Sequence, residues 1–332
     1  MGFRMAVNLR KKMPSAATLY IHDIVPAACH RFATENSHNG PIVVASSAAE
    51  VAAKCRTLLT IVPTSQNVQQ VYLDPVTGVV AAPPNAARLM LECSTIEIAA
   101  TREIGERVMK SGAGVYVDTP VSGGARGAEE GTIAFLVGHP GPNPDLALPA
   151  TDTESKGNSG DGGHDIPRRI KDTVGYMGLA SRVNFCGSLG SGLVGKIVNN
   201  YISINNVLSL AEGMAFGIRH GVDKMALYNC VKASSGDSWV LENKNSVPGV
   251  IARSPASNGF LATFPARMVV KDLSLGIQAA QAVGIDPSMG RNALVRFQEA
   301  DEDLRTTNLD CTSVWLHLNN MVDEWLTESA QK

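Results

Sequence analysis

Leu89-Met90-Leu91, then Thr101-Arg-Glu-Ile-Gly-Glu-Arg-Val-Met-Lys110, then Val115-Tyr116-Val117 is the stretch on which the fold turns. Two short apolar runs flank an amphipathic segment, which is one strand–helix–strand unit. Toward the N-terminus the same alternation continues. Leu58-Leu59-Thr60-Ile61-Val62, Ile42-Val43-Val44 and Leu19-Tyr20-Ile21 are further buried strands, and Ala48 to Lys54 is a further amphipathic helix. Such alternation predicts an α/β fold with a parallel, doubly wound sheet.

Toward the C-terminus the composition changes after Gly138. His139 to Pro167 is crowded with Pro, Gly, Asp, Ser and Asn, has no sustained apolar period, and is expected to be a mobile surface insertion. Order returns at Val183-Asn184-Phe185, and from Leu193 the pattern is helical to the end. Val194, Ile197, Tyr201, Ile204, Leu208, Ala211, Ala215 and Ile218 follow at steps of three and four, with Gly221 as a stop. That helix would be about 39 Å long, enough to cross from one domain into the next. Val270, Leu273, Ile277 and Ala280 mark another helix, halting near Gly284. The expected division is an α/β domain over 1–186, with its insertion at 139–167, and an all-α domain over 187–332.

A chain of 332 residues with 44% hydrophobic content can give each of two domains a buried core. A formal net charge of -2 leaves no electrostatic footprint for nucleic acid or an anionic membrane, so the expected partner is a small molecule. The six cysteines form neither a CxxC pair nor a Cys/His grouping at metal-ligand spacing, which suits reduced intracellular thiols and no metal. No apolar run approaches the roughly 18 residues of a membrane span. Met1 to Tyr20 carries Arg4, Arg10, Lys11 and Lys12 and no acid, the composition of a mitochondrial transit peptide. Met5, Leu9 and Met13 at helical spacing favour instead a short helix feeding the first strand.

Three constellations carry chemistry. Asp23 ends the strand Thr18 to His22, where a dinucleotide fold places an acid against the adenosine ribose. A carboxylate there repels a 2′-phosphate and favours NAD over NADP, although an Asp after a strand also serves as an ordinary turn residue. Asp118-Thr-Pro-Val-Ser-Gly-Gly124 follows a strand, and its paired glycines let backbone N–H groups converge on a small anion such as a carboxylate. A plain glycine-rich turn has the same composition. Gly187-x-x-Gly190-x-Gly192-x-x-x-Lys196-x-x-x-Asn200 runs into the long helix, with Lys196 and Asn200 on one face near its start. The helix dipole lowers the proton affinity of a lysine there, and burial does the same, as a general acid/base requires. A solvated surface lysine is the alternative.

Gly2 to Leu9, Val62-Pro-Thr-Ser65, Ser94-Thr-Ile96, Asp118 to Gly124, Gly187 to Asn200 and Lys271-Asp-Leu273 stand in the order and spacing of the β-hydroxyacid dehydrogenase family, which the chain resembles over nearly its whole length outside the insertion. Ser234-Ser-Gly-Asp-Ser-Trp239 and Val247-Pro-Gly249 resemble the 3-hydroxyisobutyrate dehydrogenase branch. The resemblance implies a Rossmann-like domain followed by an all-α domain, NAD as cofactor, and oxidation of a small hydroxy acid in valine catabolism. Homo-oligomers, dimers or tetramers, and a mitochondrial or otherwise cytoplasmic location are implied with it. Residue by residue it implies Lys196 as the catalytic lysine, Asn200 as a substrate amide, and Ser122, Gly123 and Gly124 as the carboxylate site. Gly2, Val62, Pro63, Asn67, Thr95 and Lys271 would line the cofactor, with Asp23 at the ribose.

Two departures stand out. Glu92 replaces the Asp that usually opens the Ser-Thr-Ile motif, and Ala262-Thr263 replaces a Gly pair before Phe264. Gly2 matches the last glycine of the family's G-x-G-x-x-G loop, so the family's first strand and the first two glycines are not in this sequence; this chain is expected to lack the phosphate cradle and to leave two interior strand edges unpaired. A misassigned start or a degenerate copy would account for that. The rival functions are reduction of another small semialdehyde, such as succinic or tartronic semialdehyde, and a non-catalytic, oligomerising role.

Overall fold

The computed structural model describes residues 1–142 and 165–329. Most of the insertion expected over 139–167 therefore lies outside the described residues. The chain forms two compact units, Met1–Lys196 and Ile197–Lys332.

The first unit opens on α1 (Gly2–Lys12) and then alternates strand and helix: β1 (Leu19–Ile21), α2 (Pro26–Asn36), β2 (Ile42–Val44), α3 (Ala48–Lys54), β3 (Thr57–Thr60), α4 (Ser65–Leu73), β4 (Leu89–Glu92), α5 (Ile98–Lys110) and β5 (Val115–Asp118). After these come β6 (Val121–Ser122), α6 (Gly124–Glu130), β7 (Ile133–Val137), α7 (Ile166–Gly175) and β8 (Gly178–Phe185). The basic N-terminal segment is built into the fold. Met5 is buried in one core with Leu89, Leu91 and Val117, and the Asn8 amide donates to the Ala128 carbonyl at 2.7 Å. Arg10, fully buried, donates to the carbonyls of Pro14 at 2.8 Å and Ala17 at 2.5 Å, closing the turn into β1. Local chemistry starts the helices that follow. Ser47 Oγ accepts the Glu50 N–H at α3, and Thr64 Oγ1 accepts the Asn67 N–H at α4, each such cap contributing about 1 kcal/mol.

β1 and β2 pair in parallel, as do β3, β4 and β5. Among the described residues no strand joins β1 to β3, so the parallel sheet is in two pieces, the division expected from the sequence. Burial follows that division. β4 has a strand on each side and is buried at all four positions, whereas β1 is only half-buried along its length and β3 is buried only at Leu58. The third sheet is mixed: β7 pairs β8 in parallel but β6 antiparallel. Pro120 separates the two-residue β6 from β5, and its carbonyl accepts the Leu136 N–H of β7 at 3.0 Å. Ile133, Phe135 and Val137 of β7 all point into the core. α7 also starts earlier than the composition suggested, because the Asp165 carboxylate accepts the Arg168 N–H and caps it ahead of Pro167.

α8 (Ser191–Arg219) begins in the first unit and continues into the second; its 29 residues span about 43 Å. The second unit adds α9 (Lys224–Lys232), α10 (Trp239–Asn243), α11 (Ala266–Gln281), α12 (Ser288–Glu302), α13 (Val314–Asn319) and α14 (Val322–Ser329). Ile204, Leu208, Ala211 and Ala215 of α8 pack with Val269, Leu273 and Ile277 of α11 and Phe297 of α12. Tyr201 sets the approach of these helices: its hydroxyl accepts the Gly290 N–H at 2.9 Å, and a Cβ on Gly276 would lie 2.8 Å from its ring.

A buried ion pair organises the rest of the second unit. Lys244 Nζ lies 3.3 Å from the carboxylate of Asp310, which is fully buried. That carboxylate also accepts the Thr263 hydroxyl at 2.6 Å and the Phe264 N–H at 2.9 Å. Burial alone would push the Asp310 carboxyl up; the Lys244 ammonium and these donors outweigh it and hold it below the usual carboxylate range. Thr263, one of the departures from the family pattern, thus supplies a hydroxyl to this hub.

Candidate functional site

Residues singled out in the first unit collect where parallel strands end, which is where open α/β sheets bind ligands. Asp23 follows β1 and is exposed; its Oδ1 accepts the Val25 N–H at 2.8 Å, so it also closes the turn into α2. Val62 and Pro63 follow β3, with Asn67 in the first turn of α4. Thr95 follows β4, and the Val62 N–H donates to the Ser94 hydroxyl at 2.8 Å, joining the ends of β3 and β4. Gly2 opens α1, whose first turn has no acid and no capping side chain, and a Cβ at Gly2 would lie 2.8 Å from Ile61. An exposed carboxylate at a strand end suits the ribose of a dinucleotide.

Beyond β5 the chain makes the turn Ser122-Gly123-Gly124. Gly123 and Gly124 have φ of 133° and 63°, in the left-handed region that favours glycine. A Cβ built on Gly124 would meet nothing within 4 Å, so the turn is open on that side to a small anion.

Asp118 ties the end of β5 to the start of α8. Its carboxylate is fully buried, accepting the Gly190 N–H at 2.7 Å through Oδ1 and the Leu193 N–H at 2.9 Å through Oδ2. Burial pushes this carboxyl up, and the backbone N–H groups oppose the shift. Glycine is required around it, since a Cβ on Gly138 would lie 1.8 Å from Oδ1 and one on Gly192 2.9 Å from Oδ2. Leu193 itself packs in the core beneath α5 with Ile104 and Tyr116. The helix start bearing Lys196 is therefore held by the same residue that ends the strand before the Ser-Gly-Gly turn. Lys196 is only 9% exposed, which overturns the solvated-lysine alternative.

Within the second unit, the Asn200 amide donates to Asp272 Oδ2 at 2.7 Å, and Lys271 Nζ lies 3.0 Å from Asp272 Oδ1. Asp272, buried, thus gathers Asn200 and Lys271. Among the described residues no group of three or more His, Cys, Asp or Glu side chains could hold a metal ion. No helix among them is long and apolar enough to cross a membrane.

Comparison with known proteins supplies the family. Residues 1–149 match the NAD binding domain of 6-phosphogluconate dehydrogenase, and residues 190–316 match the NAD-binding domain of NADP-dependent 3-hydroxyisobutyrate dehydrogenase. A mitochondrial 3-hydroxyisobutyrate dehydrogenase of Pongo abelii is 33% identical over 280 residues, covering 84% of this chain and 73% of the relative. The chain belongs to the β-hydroxyacid dehydrogenase family. An NAD-dependent L-serine dehydrogenase of Pseudomonas aeruginosa is 30% identical over 300 residues, 90% of this chain and 88% of the relative. A solved Mycobacterium tuberculosis 3-hydroxyisobutyrate dehydrogenase with L-serine superposes with a TM-score of 0.77 at 26% identity, over 96% of this chain and 95% of the other. As a member of this family the chain is an NAD-dependent hydroxyacid dehydrogenase.

Three residues at these sites were not legible as such in the sequence. Asp118 stood inside a recognised motif, but its role as a helix cap depends on Gly190, 72 positions away. Asp272 stood beside Lys271, and only the packing of α8 on α11 brings it to Asn200. Glu92 was visible as a departure, but its burial and its bond to Thr60 depend on the pairing of β3 with β4.

Proposed function

We propose that this dehydrogenase oxidises 3-hydroxyisobutyrate to methylmalonate semialdehyde, with Lys196 as the general base. The observation that carries the reading is the Asp118 cap, which fixes the first turn of α8, and with it a buried lysine, to the strand that leads into the Ser122–Gly124 turn. Backbone N–H groups of Ser122, Gly123 and Gly124 hold the substrate carboxylate. Asn200, oriented by Asp272, donates to the substrate. Lys196 in its neutral form accepts the hydroxyl proton, and the positive charge of the oxidised cofactor favours that neutral form. Bound NAD supplies the acceptor for the hydride that leaves the carbinol carbon. Gly2, Val62, Pro63, Asn67, Thr95 and Lys271 line the cofactor in this reading, and the exposed Asp23 carboxylate selects against a 2′-phosphate.

Lys196→Ala should lower kcat by about 10²–10⁴-fold or more, the usual contribution of a positioned acid/base, while isothermal titration finds NAD affinity within a few-fold of wild type. Retained turnover would remove the assignment. A second reading, oxidation of L-serine, is favoured by the Pseudomonas aeruginosa relative. Both molecules are β-hydroxy acids of similar size, so the ratio of their kcat/KM values decides between them.

A further inference from the structure

Glu92 ends β4 and is 1% exposed. Its two carboxylate oxygens are divided between two strand ends. Oε1 accepts the Ser94 backbone N–H at 2.7 Å, and Oε2 accepts the hydroxyl of Thr60, its register partner on β3. Ser94 then accepts the Val62 N–H through its own hydroxyl at 2.8 Å, closing a ring of bonds through the two exits. Behind the carboxylate, the Tyr72 hydroxyl of α4 lies 2.8 Å from Thr60 Oγ1, and the Tyr72 ring packs edge-on against Tyr116 of β5, centroids 5.0 Å apart.

We propose that Glu92 is a positioning residue for the dinucleotide, fixing in one arrangement the two turns, Val62–Pro63 and Ser94–Thr95, that line its site. This rests on the assignment of Val62, Pro63 and Thr95 to the cofactor made above. Glu92 does not touch the ligand; it acts through the backbone of Ser94 and the hydroxyl that Ser94 offers to Val62.

The same geometry makes the arrangement sensitive to pH. The groups facing the carboxylate are Thr60 of β3, Tyr72 of α4, Cys93 and Ser94 beside it, and Tyr116 and Asp118 of β5. Burial pushes the Glu92 carboxyl up to about 7, with Asp118 adding to the rise and the Ser94 and Thr60 bonds opposing it. While ionised, Glu92 accepts from both partners. Once protonated it donates to Thr60, the Thr60–Tyr72 bond reverses direction, and Ser94 loses a charge-assisted bond of roughly twice the neutral strength. The cofactor turns loosen as pH falls.

Glu92→Gln keeps the size of the side chain and removes its charge at every pH. NADH fluorescence titration of the wild type and the variant at pH 6 and pH 8 tests the proposal, with hydrogen exchange at the Ser94 and Val62 amides measured without cofactor. The expected result is NADH binding about tenfold weaker in the variant at pH 8, with the wild type approaching the variant at pH 6. Faster exchange at both amides in the variant should accompany it. Saturable wild-type binding that Glu92→Gln leaves within twofold at both pH values, with amide exchange unchanged, overturns the proposal alone. A wild-type chain that binds no NADH overturns the cofactor assignment and the proposal with it.

Discussion

Replacing Asp118 with Asn tests the step that joins fold to chemistry. The carboxylate receives two backbone N–H groups, from Gly190 at 2.7 Å and Leu193 at 2.9 Å. An amide offers one acceptor oxygen, so its NH2 must face one of those donors and leave a buried N–H without a partner. Losing the charge relieves part of the desolvation that pushes the carboxyl up, so the cost should be that of one unsatisfied buried donor, about 1–3 kcal/mol. In a unit of this size each kcal/mol lowers Tm by about 2–4 °C, giving a drop of roughly 2–12 °C by calorimetry. Activity should fall further than stability. The first turn of α8 would no longer be held on β5, and a misplacement of about 1 Å at a reacting group can cost 100-fold in kcat. At a temperature where the variant is fully folded, kcat should therefore drop while NAD affinity holds. A variant with wild-type kcat, or one whose kcat loss vanishes once the unfolded fraction is corrected for, would refute the claim that Asp118 positions Lys196.

Asp310→Asn strips the charge partner from Lys244 and should destabilise the second unit by about 3–5 kcal/mol, measured by urea unfolding at pH 7. Because the Asp310 carboxyl is held below its ordinary value, its stabilisation is present above the normal carboxylate range and lost as pH falls through the lowered value; the wild type should lose stability in acid more steeply than the variant, and parallel acid profiles would count against the pairing. Asp23→Ser removes the carboxylate expected at the ribose and should raise the ratio of kcat/KM for NADP over NAD by tenfold or more; an unchanged ratio would place the selecting group elsewhere.

Much of this architecture is legible in local pattern. The β4–α5–β5 unit is read from Leu89-Met90-Leu91 and Val115-Tyr116-Val117 because each run is short and apolar, as a strand buried between layers is, and an amphipathic segment lies between them. The long α8 is read from Val194 to Ile218 because an apolar position every three or four residues needs no tertiary information. β7 carries the same signal, a short run of five apolar residues with buried and half-buried positions alternating, although it is not among the strands read from the sequence above. β6, two residues long between Pro120 and a glycine turn, has no pattern to read.

The site divides along the same line. Motif residues such as Lys196, Ser122 and Thr95 are visible because their types and spacing form local constellations. The residues that orient them act across the chain: Asp118 on Gly190, Asp272 on Asn200, Glu92 on Thr60. Each is a carboxylate nine-tenths or more buried, and burying a charge is costly unless donors meet it on every open side. Their donors include backbone N–H groups and an amide set by tertiary packing, so nothing in the local sequence shows that those partners exist. A buried acid at a strand end beside a binding motif is for that reason a better indicator of a positioning residue than the motif itself. Glu92 carries the point furthest, because an Asp–Glu difference that looks conservative in sequence lengthens the reach of a carboxylate that spans the exits of β3 and β4.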